Sequence, residues 1–293
     1  MISKQITPAL SVDMSSEIRP ILQDIISPLP DKLAVATSSG IDSASILIAA
    51  LDCDKEVSVI SFTLADRQSK DFRTARGLAR KFGLEFIPVF LPVLPEPVLR
   101  RVEEVIRVLR LPGSNYDLKL KKTTVDCLFP WIDTFAKLQE VKISTLATGI
   151  GADGHFALSK EAYIHYRETR EKFQEYRRKM FNKPDVNQII SRAILSKQYG
   201  IDVICPYFDK RIFDLYAGKD WYEVNKPRQK EVVRREFPEV EGISSNVHQN
   251  LQSGDNGISE IIAKVVISEL SPGSKSPLPG MNKLDKLAKA GKL

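Results

Sequence analysis

Three features of the 293-residue chain predict an α/β fold: a parallel sheet of about five strands with helices on both faces, followed by a mainly helical C-terminal part. Between residues 31 and 154, short apolar runs alternate with stretches of helical periodicity; strands that are apolar throughout belong to a parallel sheet buried on both faces. Two of these runs stop at a turn that bears glycine and an acid, Ser38-Ser-Gly-Ile-Asp-Ser43 and Gly149-Ile-Gly-Ala-Asp-Gly154. Beyond residue 155 the sequence turns helical and charged.

Apolar residues at 18, 21, 22, 25 and 26 form the stripe of an amphipathic helix, with serine ahead of it as a cap and Pro28 and Pro30 after it. Strands are then expected at 33–37, 57–63 and 84–90, separated by helices at about 42–51 and 69–82. Helices at about 96–110 and 123–139, on either side of a Pro-Gly-Ser-Asn turn, lead to a strand at 143–148. Right-handed crossovers place the loops that follow the strands along one edge of such a sheet, where ligands bind. Ala162, Tyr166, Thr169, Phe173, Tyr176 and Met180 recur at helical spacing and read as a core-facing stripe. The division expected is an N-terminal helix over 1–30, an α/β core over 31–154, a helical part over 155–270, and a flexible basic tail over 271–293.

The Ser38–Ser43 turn is suited to pyrophosphate. Backbone N–H groups of a Ser/Gly turn and the unpaired donors of a helix N-terminus converge on one point that anionic oxygens fill. Ser38, Ser39 and Ser43 add hydroxyl donors, Gly40 admits close backbone approach, and Asp42 can hold a Mg²⁺ that screens phosphate charge. The turn is shorter than the P-loop of ATPases and lacks its Gly-Lys-Ser/Thr ending.

Composition excludes several classes. No apolar run approaches the roughly 18 residues needed to span a bilayer. The N-terminal Met-Ile-Ser-Lys-Gln-Ile-Thr-Pro has no signal-peptide core, so a cytoplasmic location is expected. Cys53, Cys127 and Cys205 are far apart and form no Cys-x-x-Cys pair, which argues against a disulfide framework, a zinc ribbon or an iron–sulfur site. The net charge of +6 permits an anionic partner. Nucleic acid is not favoured, because Glu161, Glu168, Glu171 and Glu175 interrupt the basic run of Arg167, Arg170, Lys172, Arg177, Arg178 and Lys179.

The first turn resembles the Ser-Gly-Gly-x-Asp-Ser signature of the PP-loop ATP pyrophosphatases, with Ser39 in place of the first glycine. Leu146-Ala-Thr-Gly-Ile-Gly-Ala-Asp-Gly-His-Phe156 is similar to the Ser-Gly-Glu-Gly-(Ser/Ala)-Asp-Glu-x-Phe motif of the synthetase domain of asparagine synthetases. Cys205-Pro-Tyr-Phe-Asp-Lys-Arg211, then Lys226-Pro-Arg-Gln-Lys-Glu-Val-Val-Arg-Arg-Glu-Phe237, resemble that family's Pro-Phe-Leu-Asp and its later lysine-bearing helix. The resemblance covers roughly residues 15 to 260 and implies an adenine nucleotide alpha hydrolase-like fold.

The resemblance also implies an activity: adenylation of a carboxylate by ATP, with release of pyrophosphate and transfer of the acyl group to ammonia or an amine. It assigns Ser38, Gly40, Asp42 and Ser43 to the β- and γ-phosphates, Asp42 and Asp153 to Mg²⁺, and Phe62 and Gly149 to the adenosine pocket. It makes Lys230 the cation of the adenylation transition state. Ile150 replaces the motif's first glutamate and Gly154 the acid after Asp153, so the ATP side is retained while aspartate recognition is in doubt. His155 is a candidate substitute base, against the plainer reading of a surface-packed histidine. The chain begins Met1-Ile2, without the cysteine nucleophile of a glutaminase domain, so ammonia is expected free or from a separate glutamine amidotransferase chain. The alternatives are a PP-loop enzyme acting on a nucleobase or nucleic acid, and a non-catalytic nucleotide-binding homologue.

Overall fold

The computed structural model describes residues 17–114, 120–183, 188–242 and 256–293. Five parallel strands, β1 (Lys32–Ala36), β2 (Glu56–Leu64), β3 (Glu85–Leu91), β4 (Thr145–Thr148) and β5 (Asp202–Ile204), form one sheet in the order β3-β2-β1-β4-β5. β1 pairs with β2 from Lys32 opposite Glu56 to Ala36 opposite Ile60, and with β4 from Ala34 opposite Leu146 to Ala36 opposite Thr148. β5, which is not among the strands expected from the sequence, joins through Thr145 opposite Asp202.

Helices α1 (Ile18–Ile26), α2 (Ile41–Asp52) and α3 (Lys70–Lys81) pack on one face. The opposite face carries α4 (Pro95–Leu109) and α5 (Lys122–Glu140). After β4 come α6 (Ala152–Phe156), α7 (Lys160–His165), α8 (Arg170–Phe181) and α9 (Ile189–Lys197), and after β5 α10 (Lys210–Leu215), α11 (Trp221–Asn225) and α12 (Glu231–Glu236). α13 (Ile258–Leu270) and α14 (Leu278–Lys289) close the chain. Apolar side chains fill both sides of the sheet: Leu33, Val35, Val57 and Val59 face α1, α2 and α3, while Ala34, Ile60, Ile87 and Val89 face α4 and α5. That two-sided burial is why the strands lack polar alternation.

Several expectations are corrected. Residues 271–293 are not a frayed tail, since α14 packs on α13 and α4 and buries Met281 and Leu284. Apolar residues at spacings of three and four drive this docking, and Asp285 ties the helix to Arg110 at 2.5 Å. The serines expected to cap the first helix lie outside the described residues. Glu17 occupies the cap position without a side-chain bond, and Glu236 of α12 accepts from the N–H groups of Ile18 (3.0 Å) and Arg19 (2.7 Å) instead. These are two of the donors that a helix start leaves without intrahelical partners. The stripe from Ala162 to Met180 is divided between α7 and α8, because the side chain of Thr169 caps a new helix by accepting from the Lys172 N–H. Within it Arg177 is fully buried, bound to Gln174 and to the carbonyl of Phe213, and is withdrawn from any basic surface. Asn115 of the expected turn after α4 also lies outside the described residues.

Candidate active site

β1 and β4 lie side by side, yet the chain leaves β1 through α2 on one face and passes from β4 to β5 through α9, which packs on the other. This switch in winding opens a crevice beyond the carboxyl ends of the two strands. A cavity of about 370 Å³ lies there, bordered by both glycine-bearing turns.

The first turn closes on itself through its serines. Ser43 Oγ accepts from the Ser38 N–H (3.0 Å), and Ser38 Oγ accepts from the Gly40 N–H (3.1 Å). Gly40 has extended backbone and starts α2, which puts Asp42 in the first turn of the helix. Ser38, Gly40, Asp42 and Ser43 all line the cavity. Ser39 is turned to Asp71 of α3, whose carboxylate accepts from its N–H (3.0 Å) and its hydroxyl. Asp71 lines the cavity in its place.

The second turn is pressed against the first. A Cβ on Gly149 would lie 2.7 Å from the Asp42 carbonyl carbon and the Ser43 nitrogen, so only glycine lets the β4 turn reach the start of α2. Asp153, in the first turn of α6, is thereby brought toward Asp42.

Lys230 completes the arrangement from the far end of the chain. Its ammonium bonds to the Asp42 carboxylate and to Asp153 Oδ1 (2.7 Å), and it lies 5.8 Å from the centre of the Phe156 ring. Burial alone would depress this amine, but Asp153 and Asp42 outweigh it and hold its pKa above the ordinary lysine value. The residue has left-handed backbone (φ 58°) at the start of α12. The Asn225 side chain accepts from its N–H (3.1 Å) and donates to the Phe156 carbonyl (3.0 Å), tying the lysine to the end of α6.

Phe62 lines the cavity from β2. The helical wall was not foreseen: Cys127, Trp131 and Thr134 of α5, and Gln188 and Arg192 before and on α9. The spacing of four and three from Cys127 to Thr134 could have marked a shared helix face, but nothing in the sequence pointed it at the cavity.

A profile described as asparagine synthase matches residues 31–193, more than half of the chain. The chain belongs to the asparagine synthase family. No curated protein matches it. The family match ends before β5 and Lys230, so the placement of the lysine against Asp42 and Asp153 comes from the fold alone.

Against the family pattern, Ile150 presents an apolar side chain to the cavity. Gly154 has the ring of Phe181 where a side chain would go, 3.2 Å from a Cβ. His155 is neither a base in the site nor a surface residue. It is fully buried, its Nε2–H donates to the Tyr207 carbonyl (2.7 Å), and Arg177 lies 3.4 Å from Nδ1. Burial, with the charge of Arg177, pushes its pKa down to about 3, so the ring is neutral and cannot exchange protons with the cavity.

The two acids suit a magnesium ion. Their carboxylates converge within reach of one ammonium. Among the described residues there is no group of three or more His, Cys, Asp or Glu that could hold a metal unaided. Mg²⁺ is commonly held by one or two carboxylates together with substrate phosphates, and Asp42 and Asp153 fit that donor set. Among the described residues no helix is long and apolar enough to cross a membrane.

Proposed function

We propose that the chain is an ATP-dependent carbon–nitrogen ligase that adenylates a carboxylate and passes the acyl group to ammonia or another amine. In the first step a carboxylate oxygen bonds to the α-phosphorus of ATP and the bond to the bridging oxygen breaks, releasing pyrophosphate. In the second the amine nitrogen bonds to the acyl carbon, AMP departs and the amine loses a proton.

The observation that carries this reading is the buried ammonium of Lys230, held charged by Asp42 and Asp153 where the two turns meet. Negative charge gathers on the α-phosphate oxygens during adenylation, and a fixed, buried cation stabilises it strongly. Ser38, Gly40 and Ser43 would hold the β- and γ-phosphates by hydroxyl and backbone donors. Ser39, anchored to Asp71, would keep the turn in shape. Phe62 and Gly149 would border the adenosine. A Mg²⁺ ion held by Asp42 and Asp153 would offset phosphate charge.

Exchange of labelled pyrophosphate into ATP, scanned over a panel of carboxylic acids, tests the first step. Acid-dependent exchange is expected, with Lys230→Met reducing it by about 10²–10³-fold, the range for losing one fixed charge-stabilising group. Absence of exchange with every acid, or an unchanged rate in Lys230→Met, refutes the proposal.

A further inference from the structure

The third sequence motif, Cys205–Arg211, is not among the described residues that line the cavity, yet it touches both helices that carry the acids. Pro206–Phe208 form a single 3₁₀ turn after β5, and Tyr207 is fully buried. Its hydroxyl lies 2.8 Å from Ser45 Oγ in α2, and its carbonyl accepts from His155 Nε2 in α6 at 2.7 Å. Ser45 gives its one hydroxyl proton to the Asp42 carbonyl (2.8 Å), so the phenol is the donor in the contact with Ser45. The bonds thus run in one direction, from Tyr207 to Ser45 to the backbone of Asp42.

Asp153 stands on the other arm. α6 has five residues, no side-chain cap, and left-handed backbone on both flanks, at Gly151 (φ 99°) and Ala157 (φ 50°). So short a helix takes its place from tertiary contacts. Two of these come from the 3₁₀ turn: the bond from His155, two residues after Asp153, and the ring of Phe208, which a Cβ on Gly151 would meet at 2.5 Å.

Magnesium demands near-ideal octahedral geometry with ligands at about 2.0–2.1 Å, so two carboxylates on different helices serve one ion only where the gap between the helices is fixed. Lys230 draws the two carboxylates together, but through a flexible four-carbon stem. We infer that Tyr207 is a positioning residue that sets the gap between Asp42 and Asp153, its hydroxyl holding the first turn of α2 and its carbonyl holding α6; this rests on the reading above, in which both acids hold the magnesium of ATP. The hydroxyl is also where this chain departs from the Pro-Phe-Leu-Asp pattern that Pro206–Asp209 resembles. Tyr207→Phe therefore removes the bond and keeps a ring for the turn to pack.

The test measures, by titration calorimetry, the affinity of the full chain for a non-hydrolysable ATP analogue in Mg²⁺ and in EDTA. Wild type, Tyr207→Phe, Ser45→Ala and the double variant are compared, with a melting curve on each. Wild-type affinity is expected to be higher in Mg²⁺. Tyr207→Phe should lose about 3–10-fold in Mg²⁺, the range for one buried neutral hydrogen bond, and keep its affinity in EDTA. Ser45→Ala should show the same split, and the double variant should be no weaker than the weaker single, because both changes cut one link. Four results overturn the inference: no magnesium-dependent gain in the wild type, an unchanged gain in Tyr207→Phe whatever its melting temperature, equal losses in Mg²⁺ and EDTA, or additive losses in the double variant. The two proposals fail separately. A magnesium gain that depends on Tyr207, without pyrophosphate exchange, removes the ligase reading alone, whereas acid-dependent exchange in Tyr207→Phe at the wild-type magnesium requirement removes the positioning role alone.

Discussion

His155 makes the stability of the protein depend on pH in a way that can be calculated. Its Nε2–H is given to the Tyr207 carbonyl, Arg177 faces Nδ1, and the Phe181 ring lies 4.4 Å away between centroids. A proton added to Nδ1 would face a guanidinium inside an apolar cluster. Its pKa accordingly falls from 6.5 to about 3 on folding. The sign follows from linkage: below pH 6.5 the unfolded chain takes up a proton that the folded chain refuses, so stability is full above 6.5 and is lost as pH falls toward 3. At pH 5 the unfolded state has gained about 1.5 pH units of protonation, which at about 1.36 kcal/mol per unit removes about 2 kcal/mol. The figure hardly changes if the folded value is 4 rather than 3, because at pH 5 the folded ring is neutral in either case. Urea unfolding at pH 7.5 and pH 5, on the wild type and on His155→Gln, isolates the effect from other titrating groups. The wild type should lose about 2 kcal/mol more than the variant over that interval. Parallel losses in the two proteins would refute the burial of a neutral histidine between Tyr207 and Arg177.

Gly149→Ala should lower stability by roughly 1–3 kcal/mol and abolish pyrophosphate exchange, since the added methyl forces the β4 turn off the backbone of Asp42 and Ser43; a melting curve and an exchange assay on one preparation check both. Asn225→Ala removes the side chain that joins Lys230 to Phe156, with an expected cost of about 1–3 kcal/mol for the buried groups left unmatched. Its exchange rate should fall further than its stability accounts for, which single-turnover kinetics on the folded fraction would show. Glu236→Ala should destabilise the protein by about 1–2 kcal/mol through the exposed start of α1, read as faster hydrogen exchange at Ile18 and Arg19.

The α/β core was legible because its strands are buried on both faces, so apolar runs such as Val57–Ile60 could be told from the amphipathic helices between them. The two turns were legible because each sets glycine and an acid directly after such a run. The three residues of β5 show no period, and only the completed sheet edge identifies them. α14 was masked by the lysines spaced along it, while Met281 and Leu284 decide the packing. The burial of His155 and Arg177 depends on rings from α8 and α10 that meet only in three dimensions. Motif order alone suggested that Lys230 belongs with Asp42 and Asp153; the bonds between them require α12 to fold back over α2.

α12 is six residues long, and both of its ends have work elsewhere. The residue that starts it reaches Asp42 and Asp153, and its last residue, Glu236, grips the beginning of α1. The first described helix and the lysine of the crevice therefore share one short anchor, although more than two hundred residues separate them in the chain. A fragment trimmed to residues 31–193 would keep the serine turn and both aspartates, yet lose the lysine that joins them and the helices α1 and α12 that pack on α2. The segment by which the family is recognised is thus smaller than the segment that must fold for the crevice to keep its balance of charge.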